Sequence, residues 1–173
     1  MPKDTSTAVY IPASLHTESP MSLLDQLADL PNAALPLPWL VTAGQPTAEQ
    51  FATAHAAEVR TVIDLRDPME PRPFDEKGTL AKLGIEYVNV PVSQGALTPV
   101  VLDRILAALR ASAGKPTLLH CASGNRTAGA LIPYLILDEG MAEQDAVDAA
   151  MRIGLRSAEL MEWGCDYARS HPK

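Results

Sequence analysis

Cysteine is scarce: the 173 residues hold two, Cys121 and Cys165. Two cannot build the disulfide framework of a small secreted domain, and they lack the paired spacing of a structural zinc site. Histidine is equally thin, four residues with no pair at a ligand spacing, so no metal is expected. Bases are outnumbered, 14 Lys and Arg against 21 Asp and Glu, for a net charge of −7. Nucleic-acid binding draws on clustered Lys and Arg, so no nucleic-acid partner is expected. A helix start with one Arg can still hold an anion locally. No stretch approaches the ~20 apolar residues that span a bilayer. Lys3 is the only base near the start, and no continuous apolar run follows it, unlike a signal peptide. A cytoplasmic protein without a membrane partner is expected, with both thiols reduced. Internal repeats and low-complexity segments are absent as well.

What remains is an ordinary globular composition. The apolar fraction is 47%, and a chain of this length forms one domain that hides about two-thirds of its unfolded surface. Residues 1–38 read as an N-terminal arm. Its first 20 residues have no period, a short helix over 22–30 follows the spacing of Leu23, Leu24, Leu27 and Leu30, and Pro31, Pro36 and Pro38 make a connector. Residues 39–173 read as the catalytic domain. Strands are expected over 39–42, 60–66, 85–92 and 117–120. Helices are expected over 47–58, opened by a Thr47–Gln50 capping box, over 78–83, from Thr98-Pro99 through a face of Val101, Leu102, Ile105, Leu106 and Leu109, and over 126–137, 142–153 and 157–170. Strands alternating with helices predict an α/β fold, a mostly parallel central sheet flanked by helices on both faces. Ligands of such sheets bind beyond the carboxyl ends of the strands.

Cys121 stands at such a strand end, followed by Ala122-Ser-Gly-Asn-Arg-Thr. A tight turn between a strand and a helix aims several N–H groups inward as an anion nest. Gly124 permits an unusual backbone angle, and the helix that follows adds the positive end of its dipole. These features favour negative charge where the reactive form of cysteine is the thiolate. Arg126 can grip two oxygens of a tetrahedral anion, and Thr127 or Ser123 can hydrogen-bond the sulfur. Together they describe nucleophilic attack on phosphorus or on sulfur. A lone Cys at a strand end is more often a buried apolar residue; Gly124 and Arg126 in the same turn weigh against that here. His120 reads as a hydrogen-bonded orienter, Cys165 as packing, and Gly44-Gln45-Pro46 as a turn.

The segment His120-Cys-Ala-Ser-Gly-Asn-Arg-Thr-Ala-Gly resembles the signature of cysteine-dependent phosphatases of the dual-specificity and tyrosine type. With GQPTAEQF, RTVIDLR and GIEYVNVPV upstream, residues 39–155 are similar to the phosphatase-like domain of beta-lactamase-hydrolase-like proteins. The resemblance implies the phosphatase fold, Cys121 as nucleophile, Ala122, Ser123, Gly124 and Asn125 as the amide cradle, Arg126 as phosphate clamp and Thr127 as helper of the sulfur. It implies no cofactor, and a phosphorylated protein or small phosphoester as substrate.

The sequence departs from that pattern twice. Four residues separate Cys121 from Arg126 where the usual phosphatase loop has five, a length that resembles rhodanese-type sulfurtransferases. The stretch after residues 86–92 reads Ser93-Gln-Gly-Ala-Leu-Thr, without the Asp that usually serves as general acid. A proton for an alcohol leaving group must then come from elsewhere. The loop after Asp64-Leu-Arg offers Asp67 first, then Glu70, with Asp75 also in it; Arg60, Arg66 and Arg72 flank it as anion contacts or as plain surface charges. A phosphomonoester hydrolase is the leading expectation. A sulfurtransferase carrying a Cys121 persulfide and a non-catalytic anion-binding module are the alternatives.

Overall fold

The computed structural model describes residues 21–172; the arm expected over residues 1–20 lies outside them. The elements run α1 (Leu23–Gln26), β1 (Ala34–Leu37), β2 (Leu40–Ala43), α2 (Ala48–Ala56), β3 (Thr61–Asp64), α3 (Glu76–Lys82), β4 (Glu86–Asn89), α4 (Pro99–Ser112), β5 (Thr117–His120), α5 (Asn125–Leu137), α6 (Glu143–Ile153) and α7 (Ala158–Ser170). The strands form one sheet in the order β1-β2-β5-β3-β4, with β2, β5, β3 and β4 parallel. The expected α/β architecture is what the chain adopts.

The period of two in the central strands explains why both faces are covered. Leu40, Ile63 and Leu119 point into a core shared with α4, α5, α6 and α7. Val41, Val62 and Leu118, one step along each strand, point into a second core under α1, α2 and α3. All six are fully buried, each contributing on the order of 2 kcal/mol by its removal from water.

Local chemistry sets the helix starts. Thr47 accepts from the Gln50 N–H while the Gln50 side chain accepts from the Thr47 N–H, the expected capping box. Pro99 stands in the first turn of α4, where its missing N–H costs nothing. Helices α5 and α7 approach closely at two glycines. A Cβ on Gly164 of α7 would sit 2.6 Å from the Gly129 carbonyl of α5. Pro133 cannot donate to that same carbonyl from one turn on.

The proline-rich connector expected before residue 39 is a correction. Ala34–Leu37 instead pairs antiparallel with β2 as an edge strand. Pro36 is tolerated there because an edge strand has one side free of ladder bonds. Leu23, Leu27, Leu30 and Leu37 are buried in the cores that the sheet makes. No helix among the described residues is long and apolar enough to cross a membrane.

Candidate active site

β5 lies between β2 and β3 and delivers Cys121 at its carboxyl end. The Cys121 N–H donates to the Ala43 carbonyl at 3.3 Å, the last bond of the ladder, and the chain then turns into α5. Gly124 makes the turn at φ 95°, a left-handed angle that favours glycine. It aims its own N–H at Cys121 Sγ, 3.1 Å away. Among the described residues, the N–H groups of Ala122, Ser123, Asn125 and Arg126 donate to no protein group. The last two belong to the unpaired first turn of α5. Four amides of the loop are thus left open beside the one that faces the sulfur.

Its carbonyls and side chains, by contrast, are tied outward. Ala122 O accepts from the Gln45 N–H at 3.0 Å, and Ser123 O accepts from Asn32 Nδ2 at 3.0 Å. Asn125 Oδ1 accepts from the Arg156 N–H at 2.9 Å. Gly44 permits the close strap beneath the loop, since a Cβ there would stand 2.8 Å from Ala122 O. Thr127 is a correction. Its hydroxyl donates to Gly124 O at 2.6 Å, so its single proton is committed to the loop backbone and not to the sulfur. Thr127 fixes the glycine that in turn faces Cys121.

Arg126 reaches across the site from the first turn of α5. Glu70 accepts from Nη1 and, at 2.9 Å, from Nη2, and Val92 O accepts a further Nη1 bond at 3.2 Å. A guanidinium has five N–H groups in a fixed fork. These partners use three, leaving Nε–H and one Nη2–H as an adjacent pair for an anion. The Glu70 bonds raise the Arg126 pKa, burial opposes them, and the neighbouring Cys121 adds to the rise. Glu70, the second candidate acid, is thus a carboxylate held ionised by Arg126.

Asp67 lines the same cavity, of about 470 Å³, with Ser93, Leu97, Ser123, Arg126 and Leu160. It accepts from Ser93 Oγ and from the Met69 N–H, and these bonds lower its pKa in that order of size. Asp75 is not in this cavity; it caps α3 by accepting from the Gly78 N–H at 3.0 Å.

The arginines flanking this loop, read as anion contacts, are instead tied to protein partners. Arg60 donates to the carbonyls of His55 and Val59. Arg66 bridges Asp64 and Glu76, and Arg72 binds Asp64. Behind the nucleophile these groups form a buried network. His120 sets Nδ1 3.2 Å from the Cys121 carbonyl and Nε2 2.5 Å from Glu76 Oε1, the orienting role expected of it. Tyr87 donates to Asp64 at 2.7 Å and Gln45 to Glu76 at 3.0 Å. Burial pushes the Asp64 pKa up, but His120, Arg66 and Arg72 outweigh it and bring it down to about 2. Asp64, Glu76 and His120 offer atoms within 4.8 Å of one another, yet both carboxylates already neutralise guanidinium groups. The cation this cluster is built for is arginine. Cys165 is buried in the larger core, which raises its pKa, and it packs as expected.

Glu76, Asp64 and Tyr87 were not foreseen as parts of the site. The only local signal was an apolar strand, residues 61–65, that carries a charge at Asp64. Ser157 and Glu159, on the cavity wall, gave none.

Residues 38–161 match the family model described as a DSP-PTPase phosphatase fused to NAD+ kinase. No curated protein sequence matches. Among solved structures, a DUF442 protein from Shewanella putrefaciens superposes with a TM-score of 0.76 at 19% identity, covering 87% of this chain and 99% of that one. The core catalytic domain of the PP-IP phosphatase SIW14 from S. cerevisiae gives 0.68 at 19% identity, over 78% and 84% of the two chains. TpbA from P. aeruginosa in complex with pTyr gives 0.62 at 21% identity, over 80% and 83%. These likenesses are of fold.

Proposed function

The chain belongs to the DSP-PTPase phosphatase family described as fused to NAD+ kinase, and from that premise we propose that it hydrolyses phosphomonoesters through a cysteinyl-phosphate on Cys121. One observation carries the assignment of roles. The Gly124 N–H faces Cys121 Sγ while Glu70 and Val92 turn Arg126 so that an unused pair of N–H groups remains. A sulfur nucleophile faced by one amide of a loop with further open amides, and with a guanidinium fork on the same loop, suits the three equatorial oxygens of a phosphoryl group in flight.

In the first step Cys121 Sγ attacks phosphorus in line and the ester oxygen leaves. Asp67, which lines the cavity with Arg126, gives that oxygen its proton in this reading. In the second step water attacks the phosphocysteine, the sulfur leaves as thiolate, and Asp67, now ionised, takes the proton of the water. Ala122, Ser123 and Asn125 supply amides in both steps. Proteins with phosphorylated side chains and small phosphoesters are both candidate substrates; the pTyr complex of TpbA supports the first.

The four-residue spacing from Cys121 to Arg126 gave reason to consider a sulfurtransferase, and family membership does not favour it. A paired assay separates the two. Wild type releases p-nitrophenol from p-nitrophenyl phosphate and makes no thiocyanate from thiosulfate and cyanide, and Cys121→Ser, still folded by circular dichroism, does neither. Thiocyanate without phosphate release would reverse the assignment.

A further inference from the structure

The cavity over Arg126 does not end at the phosphate site. A second cavity lies along α7 over Trp163 and Asp166, and the two share Leu97 and Glu159. They make one groove that leaves the reacting centre and follows the helix. Its floor is apolar where Leu97, Leu160 and Trp163 come together. Its charge is of one sign. Asp67, Glu70 and Glu159 line the first part, and Glu162 and Asp166 the second, whereas Arg126 is the only Lys or Arg lining either. Arg126 is already neutralised by Glu70. Among the described residues Glu159 and Glu162 form no ion pair, and Asp166 meets only Arg169, at 3.2 Å.

Residues 159, 162 and 166 share one face of a helix, so their carboxylates make a row. The row spans about 10 Å at the rise of an α-helix, the reach of roughly three residues of extended chain. A small aryl phosphate held at Cys121 cannot extend along it, and a polyphosphorylated small molecule would be repelled by it. A polypeptide anchored by its phosphate, with basic side chains beyond, meets both the apolar floor and the carboxylates.

We propose that this groove is the docking track for a phosphoprotein segment carrying Lys or Arg beside the phosphorylated residue. The proposal rests on the phosphatase reading and narrows its substrate class. The structure supplies its logic: one cationic fork for the phosphate, and anionic walls for everything attached to it.

The test compares kcat/KM for phosphotyrosyl and phosphoseryl peptides of matched length with basic, neutral or acidic neighbours. p-Nitrophenyl phosphate reports the centre alone. Basic peptides are expected to exceed acidic ones by about tenfold at low salt, the size of two or three solvent-screened ion pairs, and the gap narrows as salt is raised. The double variant Glu162→Lys/Asp166→Lys should reverse the order of the peptides and leave p-nitrophenyl phosphate turnover as it was. Turnover of p-nitrophenyl phosphate with no preference among peptides, or a preference that survives the double variant, overturns the docking track and leaves the phosphatase reading standing. Loss of p-nitrophenyl phosphate turnover in wild type overturns both.

Discussion

At Asp67 the two demands on a proton donor pull apart. The residue lines the cavity that holds Arg126, yet the Ser93 hydroxyl and the Met69 N–H hold its pKa below the ordinary carboxylate value. At neutral pH it is an acceptor, ready for the water step and short of a proton for the ester step. Asp67→Asn removes both roles, so kcat for alkyl phosphates is expected to fall by about 10²-fold or more, and kcat for aryl phosphates to fall less, through the water step alone. Steady-state kinetics on the two substrates measures this. Because the group must be protonated to serve as acid, the alkyl rate falls as pH rises through its lowered pKa. Ser93→Ala moves that limb upward.

Asp64 makes a prediction of a different kind. Its pKa is about 2 in the fold against 3.8 when free. A lowered carboxylate stabilises the fold above its free value and loses that contribution as pH falls toward the folded value. The loss here is about 2 kcal/mol between roughly pH 4 and pH 2. Urea titrations across that range should show it. Asp64→Asn should flatten that limb while lowering stability at neutral pH by about 3–5 kcal/mol, because Arg66 and Arg72 each lose an ionic partner.

Among the elements, α1 and β1 decide where the folded unit begins. The expected boundary at residue 39 would leave β2 as an open edge and strip Leu23, Leu27, Leu30 and Leu37 from the cores. An unpaired, apolar edge invites association between chains. A protein begun at residue 39 should melt well below one begun at residue 21, and should aggregate on heating. Equal melting temperatures would return α1 and β1 to the status of an appendage.

The same elements show what can be read from a sequence. The Thr47–Gln50 capping box and the apolar strand into Cys121 are visible because every group that makes them is near in the chain. So is the turn from Cys121 to Arg126, whose open amides follow from one glycine and one helix start. β1 was hidden because Pro36 marks a connector unless a neighbouring strand is known to lie on one side only. Arg66 and Arg72 read as surface anion contacts, since nothing local says that β3, α3 and β5 converge to bury their partners Asp64 and Glu76 beside His120. Glu70 read as a candidate acid for the same reason. Its role is fixed by Arg126, 56 residues along the chain.

For the molecule as a whole, the parallel sheet places one strand end, that of β5, at the meeting point of everything reactive. The buried network behind it, the amides around it and the acidic groove beyond it all depend on where Cys121 stands. The chain carries a net charge of −7, so on the proposed function the attraction of an anion is local to the loop and the fork of Arg126. The most direct measurement is rapid acid quench during turnover of an aryl phosphate, followed by mass spectrometry of the peptide containing Cys121. A phosphoryl group on Cys121, absent from Cys121→Ser, is the predicted result. Turnover with that peptide unmodified, or with the phosphoryl group on His120, would contradict the assignment.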